Sequence, residues 1–404
     1  MAFEHYISAG GRRLRCGYTT GTCAALAAAG AARYLTEGRW PETVSLRTPK
    51  GWTVEVPLEA RRTEGDRAVC GVRKDGGDDP DRTHGALIEA AVTLTEAPGV
   101  VIDGGAGVGR VTRPGLDQPV GAAAINRVPR EMIARAVNEV LSSAGRDGGA
   151  RVVISVPEGE SIARQTFNPN LGILGGVSIL GTSGVVEPMS ERAIADTVRL
   201  EIRQAAAEGG TRLILTPGNY GLDFLRARGL DRLGIPVVRC SNLIGDALDE
   251  AALQGFREIL LAGHIGKLVK LAGGIFHTHS RVADCRAELF CAHAALAGGD
   301  AALCRTLMDC PTADACLAAL ESAGLREKVM ESLLAEIGRR LSARAGSGCL
   351  AGAVLFSNQY GLLGRTGEAE TLLSRWREET ERPGGTCSGA DAGQMGTEQE
   401  EGVW

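Results

Sequence analysis

Arg212-Leu213-Ile214-Leu215-Thr216-Pro217-Gly218-Asn219-Tyr220-Gly221 reads as a short apolar strand running straight into a turn of glycine and small polar groups. The pattern recurs downstream. Pro236 to Arg239 leads into Cys240-Ser241-Asn242, Glu258 to Leu261 into Gly263-His264-Ile265-Gly266-Lys267, and Ala353 to Phe356 into Ser357-Asn358-Gln359-Tyr360-Gly361. Short apolar strands alternating with helical stretches predict a parallel sheet covered on both faces. Such sheets bind ligands beyond the carboxyl ends of their strands. The four turns therefore outline a crevice, with Thr216, Gly218, Asn219, Ser241 and Asn242 among its candidate contacts.

The surrounding chain fits that reading. Arg151 to Val156 is expected to open the same domain as a strand, and Val177 to Leu180 reads as another. Ser190 is positioned to cap a helix whose Ile194, Val198 and Ile202 share a face. Cys285 to Ala345 is mostly helical in pattern. Before residue 149 the signals are mixed. Val44 to Thr48 and Trp52 to Pro57 read as strands joined by Pro49-Lys50-Gly51, Glu89 to Glu96 is extended, and Pro129 opens a helix through Val140. Ser143 to Ala150 has the composition of a linker. The expected fold combines α+β and α/β classes in two domains. An α+β domain spans 1–148, and a Rossmann-like parallel-sheet domain spans 149–378 with a helical insertion at about 285–345. From about Glu379 the chain is polar and Gly-rich, which predicts a disordered tail over 379–404.

Composition narrows the function classes. The 404 residues are 44% hydrophobic but only 4% aromatic, with 56 glycines, so the core must be aliphatic with many close backbone approaches. A net charge of −5 argues against general nucleic-acid binding, while leaving room for a local basic pocket around an anionic small molecule. No run of apolar residues is long enough to span a bilayer and the N-terminus lacks a secretory pattern, so a soluble cytoplasmic protein is expected. The eleven cysteines are scattered without a C-x-x-C pair, which predicts reduced thiols and no zinc ribbon.

Three further segments carry candidate chemistry. In Arg15-Cys16-Gly17-Tyr18-Thr19-Thr20-Gly21-Thr22-Cys23, two glycines bracket three hydroxyl side chains ahead of an Ala-rich run, Ala24 to Ala32. With Thr22 as N-cap, this loop could present free N–H groups to an anion, or it could be a tight turn before a buried helix. Asn168 to Gly184 holds Gly172, Gly175, Gly176, Gly181 and Gly184, which permit either a ligand cradle or close strand–helix packing. Val100 to Gly109 ends in Gly105-Ala106-Gly107-Val108-Gly109, and Arg110 breaks the dinucleotide pattern G-x-G-x-x-G. Pro114 and Pro119 block the helix that should follow, so a hairpin is expected there. His264, His277 and His279 gather half of the six histidines beside Lys267, Lys270 and Arg281. This set reads as a cationic wall with an imidazole for proton transfer, and a metal site lacks a complete ligand set.

Taken together, Gly17 to Ala25, Gly107 to Leu116, Asn168 to Ser190, Gly218-Asn219, Cys240-Ser241-Asn242, Gly263 to Lys267 and His277-Thr278-His279-Ser280 resemble the cobalt-precorrin-5B C(1)-methyltransferase family, CbiD, of anaerobic cobalamin biosynthesis. The family usually has Phe where Tyr220 stands. The resemblance runs from about residue 15 to 365. It implies a CbiD-like two-domain fold and methyl transfer from S-adenosylmethionine (SAM) to C-1 of cobalt-precorrin-5B, giving cobalt-precorrin-6A, with cobalt arriving only as part of the substrate.

On that basis His264 and His277 are the candidate catalytic bases. The carboxylate-rich tetrapyrrole falls to Tyr18, Thr19, Thr20, Thr22, Arg110, Lys267 and His279, with Arg12, Arg13, Arg15, Arg113, Lys270 and Arg281 as further cations. SAM falls to Gly175, Gly176, Gly181, Thr182, Thr216, Gly218, Asn219, Ser241 and Asn242. No protein-bound metal, nucleic acid or membrane is expected, and a homodimer is plausible. Two competing readings are a non-catalytic corrinoid or metal carrier, which would ignore SAM, and a nicotinamide-dependent oxidoreductase, which lacks its fingerprint.

Overall fold

The computed structural model describes residues 3–9 and 11–381, and they form two compact units. The first comprises residues up to Gly218 together with Pro236–Arg257 and Phe276–Val282; the second comprises Asn219–Ile235, Glu258–Ile275 and the chain from Ala283.

The first unit is built on a five-stranded mixed sheet in the order Glu59–Glu64, Arg67–Arg73, Leu87–Thr95, Gly149–Ser155, Gly99–Gly104. Helices Thr20–Glu37 and Arg127–Ser143 pack against each other and on this sheet. The Ala run of the first helix is buried along its whole length from Cys23 to Ala28, so small side chains let it lie close to the strands. A Cβ on Gly30 would come within 2.6 Å of Leu58, which shows how close that approach is. Ile88, Val92, Val152, Ile154, Ile133 and Val137 complete an aliphatic core. The hairpin Thr43–Arg47/Thr53–Pro57 forms as the sequence predicts.

The strand expected to open a second domain, Gly149–Ser155, is instead internal to this sheet, antiparallel to Leu87–Thr95 and parallel to Gly99–Gly104. The Ala/Gly stretch before it is therefore no domain linker. A Cβ on Gly149 would sit 2.0 Å from the Gly99 carbonyl, so glycine is dictated by strand passage.

Also in the first unit, Arg212–Thr216 and Val237–Arg239 pair in parallel, with helices Glu191–Ala207 and Ile244–Leu253 packed beside them. Ser190 caps the former as expected, accepting from Ala193 N–H at 3.3 Å. Val198 and Ile202 are buried on it, whereas Ile194 is 44% exposed and does not join their face. In the second unit, Glu258–His264 runs parallel to Leu350–Ser357, which pairs antiparallel with Gly361–Arg365. The helical stretch is present as Arg286–Leu296, Ala301–Met308, Ala313–Ser322 and Arg326–Ala345.

A last helix, Gly367–Glu381, was not foreseen, and Trp376 anchors it by donating from Nε1 to Glu258 Oε2 at 2.5 Å. Residues 379–381 belong to this helix, and the rest of the tail expected to be disordered lies outside the described residues. No helix among the described residues is long and apolar enough to cross a membrane.

Candidate active site

The Gly/Thr loop is closed upon itself. Thr19, not Thr22, caps the first helix, its Oγ1 accepting from Thr22 N–H at 3.2 Å. Thr22 Oγ1 donates to Gly184 O at 2.6 Å, and Thr20 Oγ1 accepts from Leu180 N–H at 2.9 Å and donates to Ser178 O at 3.2 Å. Gly21 N–H donates to Leu180 O and Thr19 N–H to Gly184 O. All three threonines are at most 5% exposed. Tyr18 is buried as well, donates its hydroxyl to Arg73 O, and has a pKa pushed up by that burial. The groups that would have met an anion are spent on binding residues 178–184 to the helix.

The glycine-dense stretches are explained in the same way. Gly107-Val108 pairs in parallel with Gly176-Val177, and Arg110-Val111 pairs antiparallel with Ile173-Leu174. A local antiparallel turn also forms past these glycines, where Val111 N–H donates to Ala122 O, Gly121 N–H to Val111 O and Ala124 N–H to Gly109 O. A Cβ on Gly107 would fall 1.8 Å from Val156 O, one on Gly176 2.1 Å from Gly107 O, and one on Gly181 2.4 Å from Thr19. These glycines let three backbone segments cross. Gly175, in contrast, is in left-handed conformation with open space at its Cβ, and Thr182 is exposed.

Of the cations, Arg15 is paired with Asp75 and Arg110 forms a fork with Asp103 at 2.8 and 3.3 Å. Arg13 lies over the Tyr6 ring, and Arg113 is 3.8 Å from Glu208.

The strand exits of the first unit tell a different story. Cys240 N–H donates to Thr216 O at 2.9 Å, Leu243 forms an isolated bridge with His277, and Thr278 N–H donates to Asn242 O at 2.9 Å. Thr216, Cys240–Asn242 and His277–Thr278 are thus tied into one continuous set of turns. Ser241 holds φ of 54°, a conformation that costs a non-glycine residue of order 1 kcal/mol. Among the described residues, the buried side-chain polar atoms without a hydrogen-bond partner are Thr216 Oγ1, His277 Nδ1 and His277 Nε2, all in this set. Such an orphan costs about 1–3 kcal/mol, which a bound ligand recovers. Glu191 Oε2 lies 3.5 Å from His277 Nε2, close enough for an ion pair once the ring is protonated but not aligned as a hydrogen bond.

His264, Lys267 and Lys270 belong to the second unit. His264 caps the short helix Ile265–Leu268 by accepting at Nδ1 from Gly266 N–H, 3.1 Å. In the neutral ring that places the proton on Nε2, which faces Asp314 Oδ2 at 3.9 Å. Burial lowers the His264 pKa against the opposing pull of Asp314. Asp314 also accepts from Ser357 Oγ at 2.7 Å. A ring fixed in this tautomer is a donor, not a base. Lys270 is 2% exposed with Nζ donating to Ala283 O, so it is a core lysine and no part of a cationic wall.

The family model CbiD matches residues 7–188, and the model of the CbiD C-terminal domain matches residues 277–367. The chain belongs to the CbiD family. Curated relatives named cobalt-precorrin-5B C(1)-methyltransferase include those of Ruminiclostridium cellulolyticum, 44% identical over 88% of this chain and 92% of that one, and Thermoanaerobacter sp., 46% over 82% and 90%. A third, from Alkaliphilus metalliredigens, is 40% identical over 93% of this chain and 98% of its own. A solved structure, described as the 1.9 Å crystal structure of cobalamin biosynthesis protein (cbiD) from Archaeoglobus fulgidus, is 28% identical with a TM-score of 0.36, covering 69% of this chain and 86% of that one.

In this CbiD chain the first unit gathers Thr216, Ser241, Asn242 and His277 into one set of turns, with Gly218 two residues past Thr216 and His279 two past His277. His279 accepts at Nδ1 from Arg281 N–H, closing its own turn. Asn219 opens the helix Asn219–Ala227 of the second unit. Glu191 escaped sequence reasoning. It follows the cap Ser190 as an ordinary first-turn acid, and nothing in the local pattern reports its distance to a histidine 86 positions on.

Proposed function

We propose that this chain is a cobalt-precorrin-5B C(1)-methyltransferase that uses SAM as methyl donor and gives cobalt-precorrin-6A. One observation carries the reading: relatives of that name match it at 40–46% identity over most of their own length. The parallel pair Arg212–Thr216/Val237–Arg239 supports a Rossmann-like donor domain, and its exits are where a ligand is owed. The cysteines within the described residues are free thiols, in keeping with a cytoplasmic protein.

The chemistry asks chiefly for alignment. SAM, as co-substrate, supplies a methyl group on a positive sulfonium, and the sulfur leaves as a neutral thioether. The protein's task is to hold two partners in line in a dry site. The Thr216 hydroxyl and the strained Cys240–Asn242 turn offer polar groups for the donor. His277 replaces His264 as the proton acceptor in this reading, because both its ring nitrogens are without a hydrogen bond while Nδ1, the basic nitrogen of His264, already accepts from Gly266 N–H. Cobalt belongs to the tetrapyrrole and needs no protein ligand.

The test is incubation of the purified protein with cobalt-precorrin-5B and [methyl-13C]-SAM. Labelled product with the new methyl on C-1 is expected. A protein that retains the tetrapyrrole yet leaves SAM unconsumed and unbound in calorimetry would be a carrier, and the reading would fail.

A further inference from the structure

We propose that Glu191 is the charge partner of His277, its carboxylate facing the imidazole that takes the proton methylation releases. The inference rests on the methyltransferase reading. As the C-1–CH3 bond forms, the CH3–S bond breaks and its electron pair stays on sulfur. The donor's positive charge has then passed to the macrocycle, which returns to its original charge by losing one proton. His277 takes that proton on a ring nitrogen and becomes a cation, which a nearby anion stabilises.

Glu191 supplies it. Its carboxylate lies 3.5 Å from Nε2, on the first turn of a helix fixed by the Ser190 cap. The backbone that carries the ring is fixed by the Leu243 bridge on its own residue and the Thr278 N–H bond to Asn242 next door. The neighbouring charges do not compete. Asp246 on helix Ile244–Leu253 is bound by Arg199 at 2.8 Å, and Arg192 beside Glu191 lies 4.0 Å from Asp196. On the ring's own segment, His279 Nδ1 accepts from the backbone N–H of Arg281, whose guanidinium stands four residues along the chain from His277. Glu191 is 65% exposed, so its pull on the ring is screened and the effect should be moderate.

The experiment compares wild type, Glu191→Gln, Glu191→Asp and His277→Gln in methyl transfer across pH, with SAM affinity measured by calorimetry. Removing the carboxylate takes away the anion that faces the protonated ring. The acidic limb of the Glu191→Gln rate profile should therefore move to lower pH. Its kcat should fall about tenfold, with KM and SAM affinity within about twofold. Glu191→Asp should recover part of the loss, and His277→Gln should abolish the limb. An unmoved limb in Glu191→Gln overturns the proposal, whether or not kcat falls, because a merely structural role would slow the enzyme without moving its titration. A wild type that transfers no methyl group would instead overturn the underlying reading.

Discussion

Replacing Thr20 by Val separates a loop that binds substrate from a loop that binds its own chain. Val keeps the shape and removes the hydroxyl. The Oγ1 donor bonds to Ser178 and Leu180 carbonyls vanish, and Leu180 N–H, at 2.9 Å, loses its acceptor. The first loss is worth about 1 kcal/mol, and the stranded N–H adds about 1–2 kcal/mol because it is only partly shielded. A total of about 2–3 kcal/mol lowers the melting temperature by roughly 5–10 °C for a unit of this size. Thr22→Val should cost less, about 1 kcal/mol, since its acceptor Gly184 O keeps the Thr19 N–H and nothing is orphaned. Thermal unfolding followed by circular dichroism reads the stability, and steady-state kinetics well below the transition read the substrate. Both variants should keep KM within about twofold. A Thr20→Val protein that melts within 1 °C of wild type but needs about tenfold more tetrapyrrole would refute the lock and restore the anion loop.

Other outcomes follow from the same contacts. Gly107→Ala must place a methyl group 1.8 Å from Val156 O at a φ of +70°, so it should cost about 4 kcal/mol or more and yield little soluble protein. Gly175→Ala, with open space and only its +81° φ to strain it, should cost about 1 kcal/mol by urea unfolding. Lys74→Met leaves the half-hidden Asp81 without its cation and should destabilise by about 2–4 kcal/mol at pH 7. Burial raises the Asp81 pKa, but Lys74 and the Thr83 hydrogen bonds outweigh it, and the net shift is downward. A depressed acid stabilises above its unfolded pKa of about 3.9 and loses that contribution as pH falls through the folded value, so the gap between variant and wild type should narrow by pH 3. His264→Asn preserves a capping acceptor and should leave methyl transfer within about fivefold; a loss above about a hundredfold would return His264 to the chemistry.

What the sequence made legible was whatever period and punctuation encode. The four strand exits, the Ser190 cap and the helical stretch after Cys285 are where pattern placed them. The boundary at 148 failed because Ser143 to Ala150 has a linker's composition for a different reason. Gly148 and Gly149 are there because neighbouring carbonyls pass within 2.4 and 2.0 Å of where a Cβ would stand. The last helix was missed because Gly367–Glu381 is polar in composition, and its buried face depends on Trp376 and Leu372.

The harder distinction is between two threonine–glycine segments that read alike. Thr19 to Thr22 and Thr216 to Gly218 both set hydroxyls beside glycine at a change of direction. In the first, partners from residues some 160 positions away fill the Thr20 and Thr22 hydroxyls, and Thr22 N–H fills that of Thr19. In the second, the Thr216 carbonyl is taken by Cys240 while its hydroxyl, fully buried, faces nothing. Chemistry at the level of residue type cannot separate these cases, because the difference lies in whether folding delivers a partner. A buried polar group left without a protein partner carries a cost that a bound ligand or an ordered water removes. That cost puts the functional weight on Thr216 and His277, and it makes the threonine loop the wall that holds the glycine crossing in place.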